Sequence, residues 1–354
     1  MTKIQFESPH LRPRYPLLIS SVLLIISLLT PVPPVQANDN PALYRSLAQR
    51  RADTLEATIN DIVGTRNMGV AVIPLGSAID TLAEVSFHID DQTSVASAFK
   101  GPVALYFFEN TDPTIWKSVP VRYWAELNQL VVPDAYDAAW RQNHWLLRDV
   151  YKMLVESDND STGNILDYVY REMGKPTGNV IVAFNNWSKA AVGIGDQSGL
   201  NAWLSGRSYC TYLPHCTDPR YGQLRRHYRD QDIVLGNSYS PRDLVAFYVR
   251  LATVGRTMGY YDTAMEILSI RLPYPSLTKQ YAVAKGLSVA TKEGFVAPYS
   301  YQSSGWWVTT DAGIFTTPDG RQYAVAFMAL GSGDLLHAII DAVSDTLMQH
   351  IEVF

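Results

Sequence analysis

The chain has 354 residues, of which 47% are hydrophobic and 11% aromatic; this is enough apolar material for a large core and excludes extensive disorder. Its formal net charge is −5, and because binding to nucleic-acid phosphates requires clustered basic residues, a nucleic-acid partner is excluded as well. The one dense basic segment, LRRHYR at residues 224–229, is followed by Asp230 and Asp232 and is interpreted as a solvated turn.

Residues 1–37 have the pattern of a secretory signal peptide. Three basic residues precede the apolar stretch at residues 16–29, and Val35-Gln36-Ala37 resembles a small-residue cleavage site. Three prolines end the apolar stretch short of the ~20 residues that cross a bilayer. We therefore expect cleavage after Ala37 and a secreted or periplasmic protein. If the segment is retained instead, it would be the only contact with the membrane.

The elements predicted along the chain place strands near both ends and helices in the middle. A helix is predicted at residues 42–63, strands at 68–75 and 82–90, helices and long loops at 97–265, strands at 306–315 and 323–330 joined by the turn TPDG, and a last helix at 334–351. Helical spacing of apolar residues supports the helices, and β-rich runs bounded by turn residues support the strands.

This order predicts an α+β fold. One antiparallel sheet is built from both ends of the chain and flanked by the terminal helices, and an all-helical lobe is inserted between its strands. Residues 38–354 then form a single domain, with a sheet lobe at 42–95 plus 270–354 and a helical lobe at 96–269. We expect a monomer without a cofactor or a metal.

Cys210 and Cys216 are the only cysteines, and five residues separate them. In an oxidising compartment two thiols so close in sequence are expected to form a disulfide that closes a small loop. Two free thiols are the alternative. A metal site is disfavoured, because this pair and His215 lack further ligands at a useful spacing.

Ser97 and Lys100 are the first candidates for catalysis. On a helix, residues three apart share a face, so the lysine can reach the serine hydroxyl. A lysine that is desolvated, with a lowered pKa, can take the proton that makes a serine nucleophilic. Taken alone, the S-x-x-K pattern occurs by chance in a protein of this size.

Two further motifs change that assessment. Ser157-Asp158-Asn159 follows 60 residues after Ser97, and a K-x-G motif, residues 292–294, lies just before the C-terminal strands. S-x-x-K, S-D-N and K-x-G in this order are typical of class A β-lactamases and penicillin-binding proteins. Over residues 43–353 the chain therefore resembles the penicillin-recognising serine acyl-enzyme family, and class A β-lactamases in particular.

The resemblance implies a role for each motif. Ser97 would be the acylated nucleophile, Lys100 its proton acceptor, and Ser157 a proton shuttle to the leaving nitrogen. Asn159 would hold the substrate amide and Lys100.

On the third motif, Lys292 would attract the substrate carboxylate from the strand that also carries Glu293 and Gly294. The oxyanion hole would use the backbone N–H groups of Ser97 and Val296.

Two departures from the family pattern bear on the substrate and on turnover. Glu293 stands where the family has a Thr or Ser that helps to bind the substrate carboxylate; Thr291 or Ser303 could supply that hydroxyl instead. The family's deacylating glutamate has no counterpart, since residues 174–264 contain no glutamate. The nearest match is Asp232, which is one methylene shorter and could act as the deacylation base.

The sequence thus predicts a secreted serine hydrolase that opens a β-lactam or a related amide through an acyl-enzyme on Ser97. The substrate would be a small β-lactam or a peptidoglycan-stem-like molecule. One alternative is a D,D-peptidase-like penicillin-binding protein, and another is a catalytically silent descendant that binds peptidoglycan or a partner. A serine-dependent glutaminase is disfavoured by the S-D-N motif, and a Ser-His-Asp triad by the lack of a G-x-S-x-G motif.

Overall fold

The computed structural model describes most of the chain from Pro41 to Gln349. The described residues are 41–76, 82–117, 138–174, 180–200, 203–204, 207–208, 224–228, 231–235, 237–271, 276–296, 308–330 and 333–349. From Pro41 onward the chain folds as one compact unit. The signal peptide, the disulfide between Cys210 and Cys216, and the hydroxyl of Ser303 lie outside the described residues, so these stay predictions.

A five-stranded antiparallel sheet is built from both ends of the chain. Its order is β2-β1-β11-β10-β9, with β9 at one edge. The strands are β1 (Asn67–Pro74), β2 (Val85–Phe87), β9 (Ser288–Val296), β10 (Val308–Thr316) and β11 (Gln322–Leu330). This confirms the predicted α+β class and the sheet drawn from the two termini.

Both faces of the sheet are buried, which explains why its C-terminal strands are nearly continuous apolar runs. On β10 and β11 alternate residues point to opposite faces. One set packs on the helical lobe: Ala312, Ile314, Ala324 and Ala326. The other set packs on the terminal helices α1 (Pro41–Val63) and α11 (Gly333–Met348): Phe315, Tyr323, Val325 and Phe327.

The helical lobe lies between β2 and the last three strands. Its helices are α2 (Lys100–Asn110), α3 (Thr114–Lys117), α4 (Ala138–Tyr151), α5 (Asn159–Glu172), α6 (Val180–Trp187), α7 (Pro241–Arg250), α8 (Arg256–Met258) and α9 (Tyr261–Ser269). Short π-helical turns follow α4, α6 and α7. A further helix, α10 (Leu277–Ala284), leads into β9.

The inserted region also contains strands, which the sequence analysis did not foresee. β3 (Thr93–Ser94) pairs with β8 (Ser238–Tyr239), and two hairpins join β4 (Trp203–Leu204) to β5 (Arg207–Ser208) and β6 (Leu224–Tyr228) to β7 (Gln231–Leu235). The interpretation of residues 224–229 as a solvated turn was therefore wrong. Most of that segment is the first arm of a hairpin, and its charged residues masked the strand pattern.

A buried ion pair joins the helix that begins at Lys100 to α7. Glu109 on α2 accepts hydrogen bonds from Arg250 Nε at 2.7 Å and Arg250 Nη2 at 2.8 Å, and a third from the Tyr260 hydroxyl at 2.7 Å. The Glu109 side chain is only 5% exposed. Bidentate geometry and a third donor compensate the carboxylate for its lost hydration.

None of the helices in the described ranges combines the length and the apolar character needed to cross a membrane.

Replacing Glu109 with Ala should destabilise the fold. The change leaves the Arg250 guanidinium without its carboxylate, and breaking a buried pair in this way lowers the free energy of unfolding by about 3 kcal/mol. The matched control is Asp90→Ala, because the Arg242–Asp90 pair is 54% and 73% exposed and its loss should cost less than about 1 kcal/mol. Urea unfolding compares the two variants; equal losses would show that the buried pair does not hold α2 to α7.

Candidate active site

Ser97 and Lys100 lie where the chain enters α2: Ser97 is half-buried, and Lys100 is the first residue of the helix. A 3-10 turn, Ala96–Phe99, leads directly into the helix, and Ala96 has a left-handed backbone with φ of +44°. Lys100 has no exposed surface, and its Nζ donates a hydrogen bond to Ser97 Oγ at 3.1 Å. The structure thus brings the S-x-x-K pair into direct contact.

The second motif reaches the same ammonium from the other side. After the π-helical turn Lys152–Glu156, Ser157 adopts a left-handed conformation with φ of +60°. Asp158 then caps α5, accepting a hydrogen bond from Ser161 N at 2.6 Å. Lys100 Nζ donates to Ser157 Oγ at 3.2 Å and to the Ser157 carbonyl oxygen. The hydroxyls of Ser97 and Ser157 are therefore both bound to one ammonium group.

The third motif packs against the 3-10 turn that carries Ser97. A Cβ built on Gly294 would lie 2.6 Å from the backbone nitrogens of Ser97 and Ala98 and 2.5 Å from the Val95 carbonyl oxygen. No side chain fits at such distances, so only glycine lets β9 approach the 3-10 turn this closely. Lys292, two residues earlier on the same face of β9, is 3% exposed. A Cβ built on Gly101 would be 3.6 Å from Lys292 Cβ, which places Lys292 beside α2.

Burial, together with repulsion from a neighbouring lysine, lowers the pKa of each of the two lysines. The pKa of Lys100 falls to about 7, mainly because the group is desolvated and also because Lys292 is near, whereas Asp158 acts in the opposite direction. The pKa of Lys292 falls to about 8, again mainly through burial; Glu293 and Asp311 oppose the shift and Lys279 adds to it. Near neutral pH a large fraction of Lys100 is uncharged and able to accept a proton.

The other predicted site residues of the second and third motifs lie on α5 and β9. Asn159 is the first residue of α5 and is half-buried. Glu293 is exposed and, by strand alternation, points to the face opposite Lys292. Val296 is the last residue of β9, two residues beyond the glycine that contacts Ser97 N.

Asp232 is on β7, where it is the registered partner of His227 on β6. The structure describes its backbone but not its side chain. Its assignment as deacylation base therefore stays a prediction.

The sequence analysis missed one structural role at the site. Asp158 was quoted only as the middle of S-D-N, yet it caps α5 and so fixes the turn that presents Ser157. The signal was available, because Asp is a preferred residue immediately before a helix, where its carboxylate accepts a hydrogen bond from a backbone N–H of the first turn. Within the described ranges, no group of three or more His, Cys, Asp or Glu side chains is arranged to hold a metal ion.

The geometry agrees with a family match that spans most of the chain. The profile of the β-lactamase enzyme family matches residues 52–351. The chain belongs to the β-lactamase enzyme family. A search of curated protein sequences found no match for this β-lactamase-family chain.

Solved structures with the same fold include β-lactamases and a penicillin-binding protein. PBP-A is 18% identical, with 85% of this chain and 97% of that chain covered at a TM-score of 0.52. A PBP-A variant in an acyl-enzyme complex with penicillin G is 19% identical, with the same coverage and a TM-score of 0.53. A class A β-lactamase from Bacteroides cellulosilyticus is 17% identical, with 86% and 99% covered and a TM-score of 0.52. Because these structures are less than 25% identical to this chain, the similarity shows that they share its fold.

Gly294→Ala should separate β9 from Ser97, the predicted nucleophile. Because the added Cβ would meet three backbone atoms, the strand or the 3-10 turn must shift, and a displacement of about 1 Å can lower a rate about a hundredfold. Intact-mass measurement of the rate of acylation at Ser97 checks this. Gly195→Ala is the control, since its Cβ would have ordinary contacts at 3.5 Å and beyond. Equal rates in the two variants would contradict the close packing.

The rate of acylation should depend on the protonation of Lys100. Below its pKa of about 7 the amine is charged and cannot accept a proton, so the rate with an uncharged acyl donor should rise with pH and level off above about 8. Lys292→Gln removes a neighbouring like charge, so the pKa of Lys100, and with it the profile, should move to higher pH. A rate that is constant from about pH 5 to about pH 9 would exclude Lys100 as the base.

Proposed function

We propose that this protein is a serine hydrolase that reacts with a β-lactam or a related amide through an acyl-enzyme on Ser97. The observation that carries the proposal is the buried Lys100 side chain, whose nitrogen contacts the hydroxyls of both Ser97 and Ser157. A surface Ser-Lys pair would have neither the burial nor the second hydroxyl. The family match supports the same class of hydrolase.

In the first half of the reaction, neutral Lys100 takes the proton of Ser97 Oγ as that oxygen attacks the carbonyl carbon. The carbonyl oxygen becomes an oxyanion, which the backbone N–H of Ser97 and the proposed donor Val296 would stabilise. As the C–N bond breaks, the proton passes from Lys100 through the Ser157 hydroxyl to the leaving nitrogen. Lys100 is then neutral again, and the acyl group remains on Ser97 as an ester.

The second half requires a water molecule and a base. Residues 174–264 contain no glutamate, so the family's usual deacylation base is missing. Asp232 is the proposed substitute, and the regenerated neutral Lys100 is a second group able to accept a proton from water. We propose slow deacylation, because a base displaced from hydrogen-bond reach loses most of its efficiency.

A second function follows from the same missing base. A D,D-peptidase-like penicillin-binding protein needs acylation but no loop glutamate, and it would hold a β-lactam as a lasting ester. The two functions share every step up to the acyl-enzyme and differ in how long that ester survives.

The predicted signal peptide supports a location outside the cytoplasm, with Asn38 as the first residue of the mature protein. We propose a periplasmic or secreted monomer that meets its substrate there. The N-terminal sequence of protein recovered from that compartment tests the cleavage site.

The function is tested by incubating the mature protein with a fluorescent penicillin and following the mass of the intact protein over time. A transient adduct with released product indicates a β-lactamase, and a lasting adduct indicates a penicillin-binding protein. Ser97→Ala should abolish the adduct, whereas Ser46→Ala on α1, on the other side of the sheet, should not. Labelling that survives Ser97→Ala would exclude Ser97 as the nucleophile.

A further inference from the structure

The helix that precedes the second motif carries a buried carboxylate that binds the helix after it. Asp149 lies two residues before the end of α4 and is 8% exposed. Its Oδ1 accepts a hydrogen bond from Ser161 Oγ at 2.9 Å, and its Oδ2 accepts one from Asn164 Nδ2 at 2.9 Å. Both donors are on α5, so this one side chain joins the end of α4 to the beginning of α5.

Ser161 is also bound to the residue that follows Ser157. Its backbone N–H donates to the Asp158 carboxylate at 2.6 Å, while its hydroxyl donates to Asp149. On the other side, Asp158 N donates to the Lys152 carbonyl oxygen at 3.0 Å and so closes the π-helical turn. The turn that carries Ser157 is therefore held to both helices, and Asp149 supplies the side-chain contact with α4.

The position of Ser157 is strained and has little tolerance for movement. Its φ of +60° is a conformation that costs on the order of 1 kcal/mol in a residue with a side chain. Its hydroxyl lies 3.2 Å from Lys100 Nζ, close to the upper limit of a hydrogen bond. A shift of about 1 Å would therefore separate the two groups between which the proposed reaction passes a proton.

The charge of Asp149 indicates more than helix packing. No ion pair joins it to another described residue, so two uncharged side chains are the donors to a largely buried carboxylate. Burying a charge costs free energy, and an uncharged acceptor would join the two helices at a lower cost. A carboxylate, however, makes stronger hydrogen bonds than a neutral acceptor does, and so holds Ser161 more firmly.

We propose that Asp149 is a positioning residue for the proton relay through Ser157. Acting through Ser161, it holds the Ser157 hydroxyl where that group gives its proton to the leaving nitrogen and takes one from Lys100 as the C–N bond breaks. The inference rests on the proposed acyl-enzyme function and assigns a residue outside the three motifs to one step of it. A leaving group that departs without a proton should not need Asp149.

The test compares two acyl donors with similar side chains. Benzylpenicillin has a leaving nitrogen that must be protonated, whereas the thioester of phenylacetylglycine with mercaptoacetate loses its sulfur as a thiolate. The second-order rate constant for acylation is measured by intact mass for the penicillin and by thiol release for the thioester. Asp149→Ala should lower the first about a hundredfold, as expected of a displaced proton donor, and the second less than about threefold. Any loss of folded protein cancels in the ratio of the two rate constants.

Three further variants follow the path from Asp149 to Ser157. Ser161→Ala should reproduce the effect of Asp149→Ala, because it removes the same hydrogen bond. Asp149→Asn keeps an acceptor but loses the charge, so it should be about tenfold slower than the wild type with the penicillin alone. Asn164→Ala is the matched control: it removes only the bond from an exposed residue and should change either rate constant less than about twofold.

The double variant Asp149→Ala/Ser157→Ala separates positioning from a general weakening of the fold. If Asp149 acts through Ser157, its loss should have no further effect on the penicillin rate once Ser157→Ala has removed the relay. Equal losses with both donors, or losses that multiply in the double variant, would overturn the role of Asp149 and leave the acyl-enzyme proposal intact.

The wild type distinguishes failure of this inference from failure of the proposed function. Acylation by the thioester alone would mean that the relay does not operate, and it would overturn the inference while Ser97 remains the nucleophile. Acylation by neither donor would remove the proposed function and this inference with it.

Discussion

The contact of one buried amine with two serine hydroxyls is the interaction on which the site depends. Lys100 is removed from water, and an ammonium in such a place is costly unless oxygen atoms surround it. Ser97 Oγ, Ser157 Oγ and the Ser157 carbonyl oxygen supply those contacts. Because they only partly compensate for lost hydration, the pKa of Lys100 falls to about 7, and the same group becomes able to accept protons near neutral pH.

The sheet fixes the other half of the site through strand register. Lys292 and Gly294 face α2 because they are two residues apart on β9, and β10 holds β9 in place along its whole length. A slip of one residue would turn Lys292 to the opposite face and direct Glu293 toward the 3-10 turn. Gly294 sets how closely the strand approaches Ser97, so residue size and register together determine the spacing between β9 and the 3-10 turn.

The sequence predicted the parts of the structure that local patterns determine. Apolar runs at the termini indicated the strands, and three motifs in a fixed order indicated which segments meet. Register between distant strands has no local signal, so the pairing of Glu293 on β9 with Asp311 on β10 could not be predicted. The β6–β7 hairpin was missed because five charged residues within residues 224–235 hide its strand pattern. Lys279 helps to lower the pKa of Lys292 only because α10 packs beside β9. That packing is a tertiary contact, for which the sequence carries no local signal.

The left-handed backbones of Ala96 and Ser157 have a consequence for where strain is stored in this molecule. Residues with side chains rarely adopt this conformation, and each occurrence costs on the order of 1 kcal/mol that surrounding contacts must supply. Both residues flank the shared amine, one on each side. Substitutions to glycine there would relax the backbone. With alanine and serine at these positions, backbone strain is concentrated beside the two serine hydroxyls, and the tightly packed remainder of the lobe has to hold them in place.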